Sequence, residues 1–101
     1  MKKEKQLRKS FVAQALKRDK NACVICHEAS DEVHHITDRH EMPNGGYALE
    51  NGITLCSSHH FMAEMFHISK QRWWCVGFHP NDLYDKIDAS FIEALNASRE
   101  L

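Results

Sequence analysis

The chain has 101 residues, enough for one domain with a modest core. Its 43 % hydrophobic and 27 % charged residues exclude a disordered polyelectrolyte, and no apolar run reaches membrane length. A net charge of −1 conceals an asymmetry, since residues 1–20 carry a net +6 and the remainder −7. A basic arm on an acidic body suggests a polyanionic partner met through the arm and through bound metal; a solvated helix face is the plainer alternative. Met1-Lys2-Lys3-Glu4-Lys5 has no secretory character, so the expectation is a soluble cytoplasmic protein with no membrane partner.

Leu7, Phe11, Ala15 and Leu16 recur at helical spacing and predict a helix over residues 6–19, its apolar stripe docked on the domain and its cations outward. Residues 20–30 read as a turn carrying Cys23 and Cys26. Asp31 to Ile36 reads as a short strand, and Thr37 to Gly46 as a polar loop closing on Pro43-Asn44-Gly45-Gly46. Tyr47 to Leu55 is the expected return strand, with Ile53 and Leu55 on one face. A helix should start at Cys56 to His59, capped by Ser57 or Ser58, and run to about His67. His60, Glu64 and His67 share one face of it, and Phe61 and Met65 mark the expected core face. Trp73 to Phe78 reads as a buried extended segment, with Trp73 and Trp74 as core or lid packing. Pro80-Asn81-Asp82 opens a short helix through Ile87. Ser90 and Glu93 form a capping-box pattern opening a last helix to about Ser98. The expected class is α+β in a single domain, 1–101: a basic helix at 1–20, a metal-bearing core at 21–68 and an extension at 69–101.

Four cysteines can make two disulfides, but Cys-x-x-Cys beside eight histidines favours metal. Two residues between thiolates let both converge on one ion. Cys23 and Cys26 pair with Cys56 and His59 as a Cys3His structural zinc site; Cys75 or His27 is the rival fourth ligand. Cys75, between Trp74 and Val76, reads as a buried free thiol. In His34-His35 one imidazole can hold a second metal while its neighbour stays free to accept a proton from water. With Asn51 and His60 downstream, that layout suits a metal-dependent phosphodiesterase.

Cys-x-x-Cys, then Val-His-His-Ile, then Gly-Gly, then Asn-x-x-x-Leu-Cys-x-x-His-His resembles the HNH endonucleases, the ββα-metal nuclease group, over roughly residues 23–67. The resemblance implies a small ββα-metal core with a zinc knuckle, flanked by an N-terminal helix and C-terminal helices. It implies His34 and His60 as ligands of a catalytic divalent ion, His35 as general base, and Asn51 as the residue that ties the loop and aims the base. Glu64 falls where some members carry a further ligand. His67 is a weaker candidate, for phosphate or simply for solvent. The ligand set suits Mn²⁺, Ni²⁺, Co²⁺ or Zn²⁺ better than Mg²⁺, whose abundance can offset weak binding. Products with 5′-phosphate and 3′-hydroxyl ends are implied. The sequence departs from the family pattern at His59, where a cysteine is usual.

The expected partner is DNA, cut or nicked with little sequence specificity. Arg39, Lys70 and Arg72 are placed to clamp its backbone, as is His40, while Lys17 and Arg18 on the basic arm give sequence-independent contacts. The alternative is a non-catalytic, zinc-stabilised nucleic-acid or protein adaptor, for which the spare imidazole of His35 has no use. Small proteins of this type occur in bacteriophage genomes, which suggests packaging or recombination proteins as further partners. Trp73, Trp74 and Phe78 are the candidate surface for self-association.

Overall fold

Helix α1 runs from Lys2 to Arg18 and is polar over most of its surface, burying only Phe11 and Ala15, one turn apart. The computed structural model describes residues 2–101, and there the stripe covers a two-stranded antiparallel sheet. Strand β1 (Val33–His35) pairs with β2 (Gly52–Thr54), placing Val33 opposite Thr54, His34 opposite Ile53 and His35 opposite Gly52. Side chains alternate along a strand, so His34 and His35 leave the sheet on opposite faces. Phe11 of α1 stacks on the His35 ring with centroids 4.5 Å apart. A Cβ at position 52 would lie 2.6 Å from the Phe11 ring, so glycine opposite His35 is what admits that ring.

Both strands are shorter than the expected Asp31–Ile36 and Tyr47–Leu55. Leu49–Asn51 forms a single 3₁₀ turn, closed by the Asn51 N–H donating to the Ala48 carbonyl at 2.9 Å, and β2 starts only after it. The expected turn at Pro43–Gly46 is present. Asn44 and Gly45 both take positive φ, 53° and 75°, the pairing that Asn-Gly tolerates best.

Helix α2 spans Ser57–Ile68. Its N-cap is Cys56 and not Ser57 or Ser58, and no side chain caps it; the Cys56 thiol faces Cys26 instead. The expected core face is also corrected, because Phe61 is 65 % exposed and the residue buried on this helix is Ala63. Trp73 to Phe78 is neither extended nor buried. Trp73 and Trp74 are 56 % and 41 % exposed, Val76 is 97 % exposed, and only Phe78 enters the core. The Ser69 hydroxyl donates to the Trp73 carbonyl and accepts from the Trp73 N–H, holding that backbone outward.

Helix α3 (Pro80–Lys86) is capped by His79, and α4 (Phe91–Arg99) by Ser90, whose hydroxyl accepts from the Glu93 N–H at 3.1 Å. Asn44 donates to the Ser98 carbonyl at 2.9 Å, tying α4 to the loop between the strands. The core joins Cys23, Ile36, Ile53, Leu55, Leu83 and Tyr84, so knuckle, sheet and α3 share one interior. The class is α+β, with four α-helices and one two-stranded sheet among the described residues. No helix among them is long and apolar enough to cross a membrane.

Candidate metal centres and reactive cleft

The turn after α1 is built by backbone pairing. The Cys23 N–H donates to the Glu28 carbonyl at 2.7 Å, and the His27 N–H to the Cys23 carbonyl at 2.8 Å. His27 takes φ 68° to close it. Its thiols meet the start of α2. Cys26 Sγ lies 3.8 Å from Cys56 Sγ, and His59 Nδ1 lies 3.5 Å from Cys23 Sγ and 3.4 Å from Cys56 Sγ. A tetrahedral ion bonded at about 2.3 Å to sulfur and about 2.05 Å to nitrogen holds neighbouring sulfurs about 3.8 Å apart and sulfur–nitrogen pairs about 3.6 Å apart. The four residues therefore lie close enough to hold a metal ion, with spacing compatible with a structural zinc. Cys75 and His27 stand outside the cluster, and Cys75 is a half-buried free thiol. Burial opposes charge on the Cys23 thiol, but the backbone amides of Cys26 and Cys56 and the His59 ring outweigh it, lowering the thiol to about 6. The Cys26 amide neighbour at Glu28 favours the thiolate, yet burial and the other two thiols raise Cys26 to about 11.

On the α2 side of the sheet, His34, His60 and Glu64 form a second group whose ligand atoms converge. His34 is 1 % exposed. Its Nδ1 lies 2.7 Å from Glu64 Oε2 but is not aligned to donate to it, leaving a buried nitrogen with no hydrogen-bond partner. A nitrogen and a carboxylate oxygen this close, with no hydrogen bond between them, are spaced compatibly with two ligands of one ion. His60 Nε2 lies 3.6 Å from the same carboxylate oxygen. Adjacent ligands of an ion with bonds of about 2.1 Å stand about 2.9–3.4 Å apart, which the two distances bracket. Burial lowers His34, against the pull of Glu64, so the imidazole is neutral. The close imidazoles of His34 and then His60 hold Glu64 well below the usual carboxylate range. A neutral imidazole and an ionised carboxylate are the forms a metal takes.

Sequence reasoning missed Glu32. Its Oε1 accepts from His60 Nδ1 at 2.9 Å and its Oε2 accepts from the Ser57 hydroxyl, which fixes the His60 tautomer and turns Nε2 to Glu64. Glu32 precedes His34 by two residues, and period-two alternation alone would have put both on one face. His67 is likewise placed. It donates from Nε2 to the His35 carbonyl at 3.0 Å and stacks on His34 with centroids 5.2 Å apart, but it is not in the ligand group.

His35, on the other face, is packed between Phe11 and Tyr47. Burial first, then the adjoining His34 ring and the Arg39 cation, lower it to about 4. Nε2 is buried without a partner, so Nδ1 is the nitrogen left to meet water. His35 nonetheless lines a cleft of about 270 Å³ with Arg39, His40, Glu64 and His67. Asn51 is wholly buried beneath it. Its Oδ1 accepts from the Thr37 N–H at 2.9 Å and from the Tyr84 hydroxyl at 2.7 Å, while Nδ2 donates to the carbonyls of Thr37 and Gly46. The Asn51 carbonyl also accepts from the Ile36 N–H at 2.9 Å. The chain leaving His35 is thus held at three points by one residue. Tyr84, which completes the network from α3, has no local sequence signal.

Of the expected DNA contacts, Arg39 reaches the cleft, and Lys70 lines an adjoining depression with His40 and His67. Lys17 and Arg72 are exposed. Arg18 is spent on the fold, paired with Asp19 at 2.7 Å and donating to the carbonyls of Leu49 and Gly52 at 3.1 and 2.7 Å. No protein-family model, curated protein or solved structure matches this chain.

Proposed function

We propose that this chain is a metal-dependent DNA endonuclease of the HNH type. The carrying observation is the meeting, in one cleft, of Glu64 from the His34–His60–Glu64 group with a neutral imidazole, His35, that takes no part in that group. His34, His60 and Glu64 would hold a divalent ion, which would supply Lewis-acid stabilisation of the phosphoryl charge. His35 accepts the proton of the attacking water at Nδ1. Asn51 holds the peptides on either side of Thr37 and keeps that nitrogen aimed. Arg39 binds a phosphate oxygen of the strand being cut. One compact site cuts one strand, so nicking precedes any double-strand break. A pure adaptor has no use for the free imidazole.

The test is conversion of supercoiled plasmid by zinc-loaded protein with Mg²⁺, Mn²⁺ or Ni²⁺, beside His35→Ala. Wild type is expected to yield open-circular and then linear DNA. His35→Ala is expected to keep its zinc and its thermal transition while losing roughly a hundredfold or more in rate. Cleavage by the variant at the wild-type rate sinks the base assignment, and no cleavage with any metal sinks the enzyme.

A further inference from the structure

Three depressions share walls. The cleft at His35 shares Asp38, His40 and His67 with a second depression that reaches Lys70 and Gln71. The second shares Asp38, Glu41 and Gln71 with a third, of about 360 Å³, lying between the end of α2 and the starts of α3 and α4. A groove therefore runs from the metal group to that third pocket, whose volume is that of a small-ligand site. Its walls are aromatic: Phe66, His79, Tyr84 and Phe91. Trp74 extends the wall, 5.8 Å from the Phe66 ring and 4.9 Å from His79. Trp74 and Phe91 are each 41 % exposed, and the Ser69 clamp fixes the backbone beside Trp74.

The polar groups identify the occupant. Asp38 and Glu41 line the pocket, and Glu41 accepts from Gln71 at 2.8 Å. Two carboxylates repel a phosphate but accept hydrogen bonds from an exocyclic amine. A cation stands outside, at exposed Lys70 in the adjoining depression, where a flanking phosphate would run. Aromatic faces for a base, carboxylates for its edge and a cation for a neighbouring phosphate suit a nucleotide whose base enters first.

We propose that this pocket takes one unpaired DNA base, drawn out of the stack beside the strand that is cut. The proposal rests on the nuclease reading and deepens it, because such a pocket makes the protein selective for DNA with unpaired positions, where extrusion costs least. The test uses three labelled duplexes that differ at one position: fully paired, with one bulged cytosine, or with one bulged abasic nucleotide. Zinc-loaded protein is titrated without added catalytic metal. The cytosine bulge is expected to bind roughly tenfold tighter than the paired duplex, and the abasic bulge to lose that gain. Trp74→Ala and Phe91→Ala, both at exposed side chains, are expected to abolish the preference. Equal affinity for all three duplexes, equal affinity for the two bulges, or binding to none overturns the subsite. Plasmid cleavage without a bulge preference removes the subsite and leaves the nuclease; bulge preference without cleavage under any metal does the reverse.

Discussion

His60 has a carboxylate at each ring nitrogen, and the two do different work. Glu64 shares the ligand group with Nε2, while Glu32 accepts from Nδ1 at 2.9 Å and is itself anchored by Ser57. A carboxylate behind a metal-binding imidazole fixes the tautomer and raises the ring's basicity, and losing such a partner typically costs about ten- to a hundredfold in metal affinity. Glu32→Gln retains an acceptor but removes the charge. It is expected to weaken Mn²⁺ binding by about tenfold in calorimetric titration while leaving the structural zinc in place. Unchanged Mn²⁺ affinity would sink the positioning role. Gly46 makes a comparable demand at the other side of the cleft. Its φ is +65°, and a Cβ there would lie 2.7 Å from Asn51 Nδ2, so glycine at 46 leaves room for the residue that ties the chain leaving His35.

At the scale of elements, α1 is the back wall of the His35 side of the sheet and not a detachable arm. Phe11 backs the His35 ring, and Asp19 accepts from the Thr54 N–H at 3.0 Å, stitching the helix end to β2. Burial opposes the Asp19 charge, but Arg18 and the Thr54 amide outweigh it and lower its pKa, so the carboxylate is charged at neutral pH. Asp19→Ala strands the buried Thr54 amide and leaves Arg18 unpaired, and should destabilise by roughly 2 kcal/mol. Asp19→Asn, which keeps an acceptor, should lose less; equal denaturation midpoints for wild type and both variants would refute the stitch. The legibility of these elements follows from how local their causes are. The Cys23–Cys26 spacing, the turn at Asn44-Gly45 and the Ser90 cap are set by residues within a few positions, and each is where the sequence reading puts it. The sequence points Trp73, Trp74 and Phe61 inward and the structure leaves them exposed, because hydropathy records what burial would yield, and not whether the fold has room. Phe78 and Tyr84 already occupy the interior beside α2. Glu32 and Tyr84 act across 28 and 33 residues of chain, and nothing local to either marks its partner.

For the whole molecule, the small core and the Cys3His cluster together bear on stability. The sheet has two strands of three residues each, and a domain this small buries only a moderate share of its surface. Two thiols of the Cys3His cluster, Cys23 and Cys56, are themselves members of the core, and the cluster joins the knuckle to the start of α2. Folded domains are stable by about 5–15 kcal/mol, while zinc in small Cys/His sites binds with about 10–16 kcal/mol. Zinc bound by the four residues on that scale would account for most or all of the margin, and the metal-free chain should then be largely unfolded. Removing zinc with a strong chelator is expected to abolish the cooperative thermal transition seen by circular dichroism, and one equivalent of zinc to restore it. Cys26→Ser should reproduce the loss with zinc present, because Cys26 is the exposed ligand and contributes little packing of its own. Co²⁺ in place of zinc should give thiolate-to-metal absorption that Cys26→Ser weakens and His60→Ala leaves intact, separating the two centres. A chelator-treated protein that melts like the untreated one would show instead that the core stands alone, and that the four residues gather without supporting the fold.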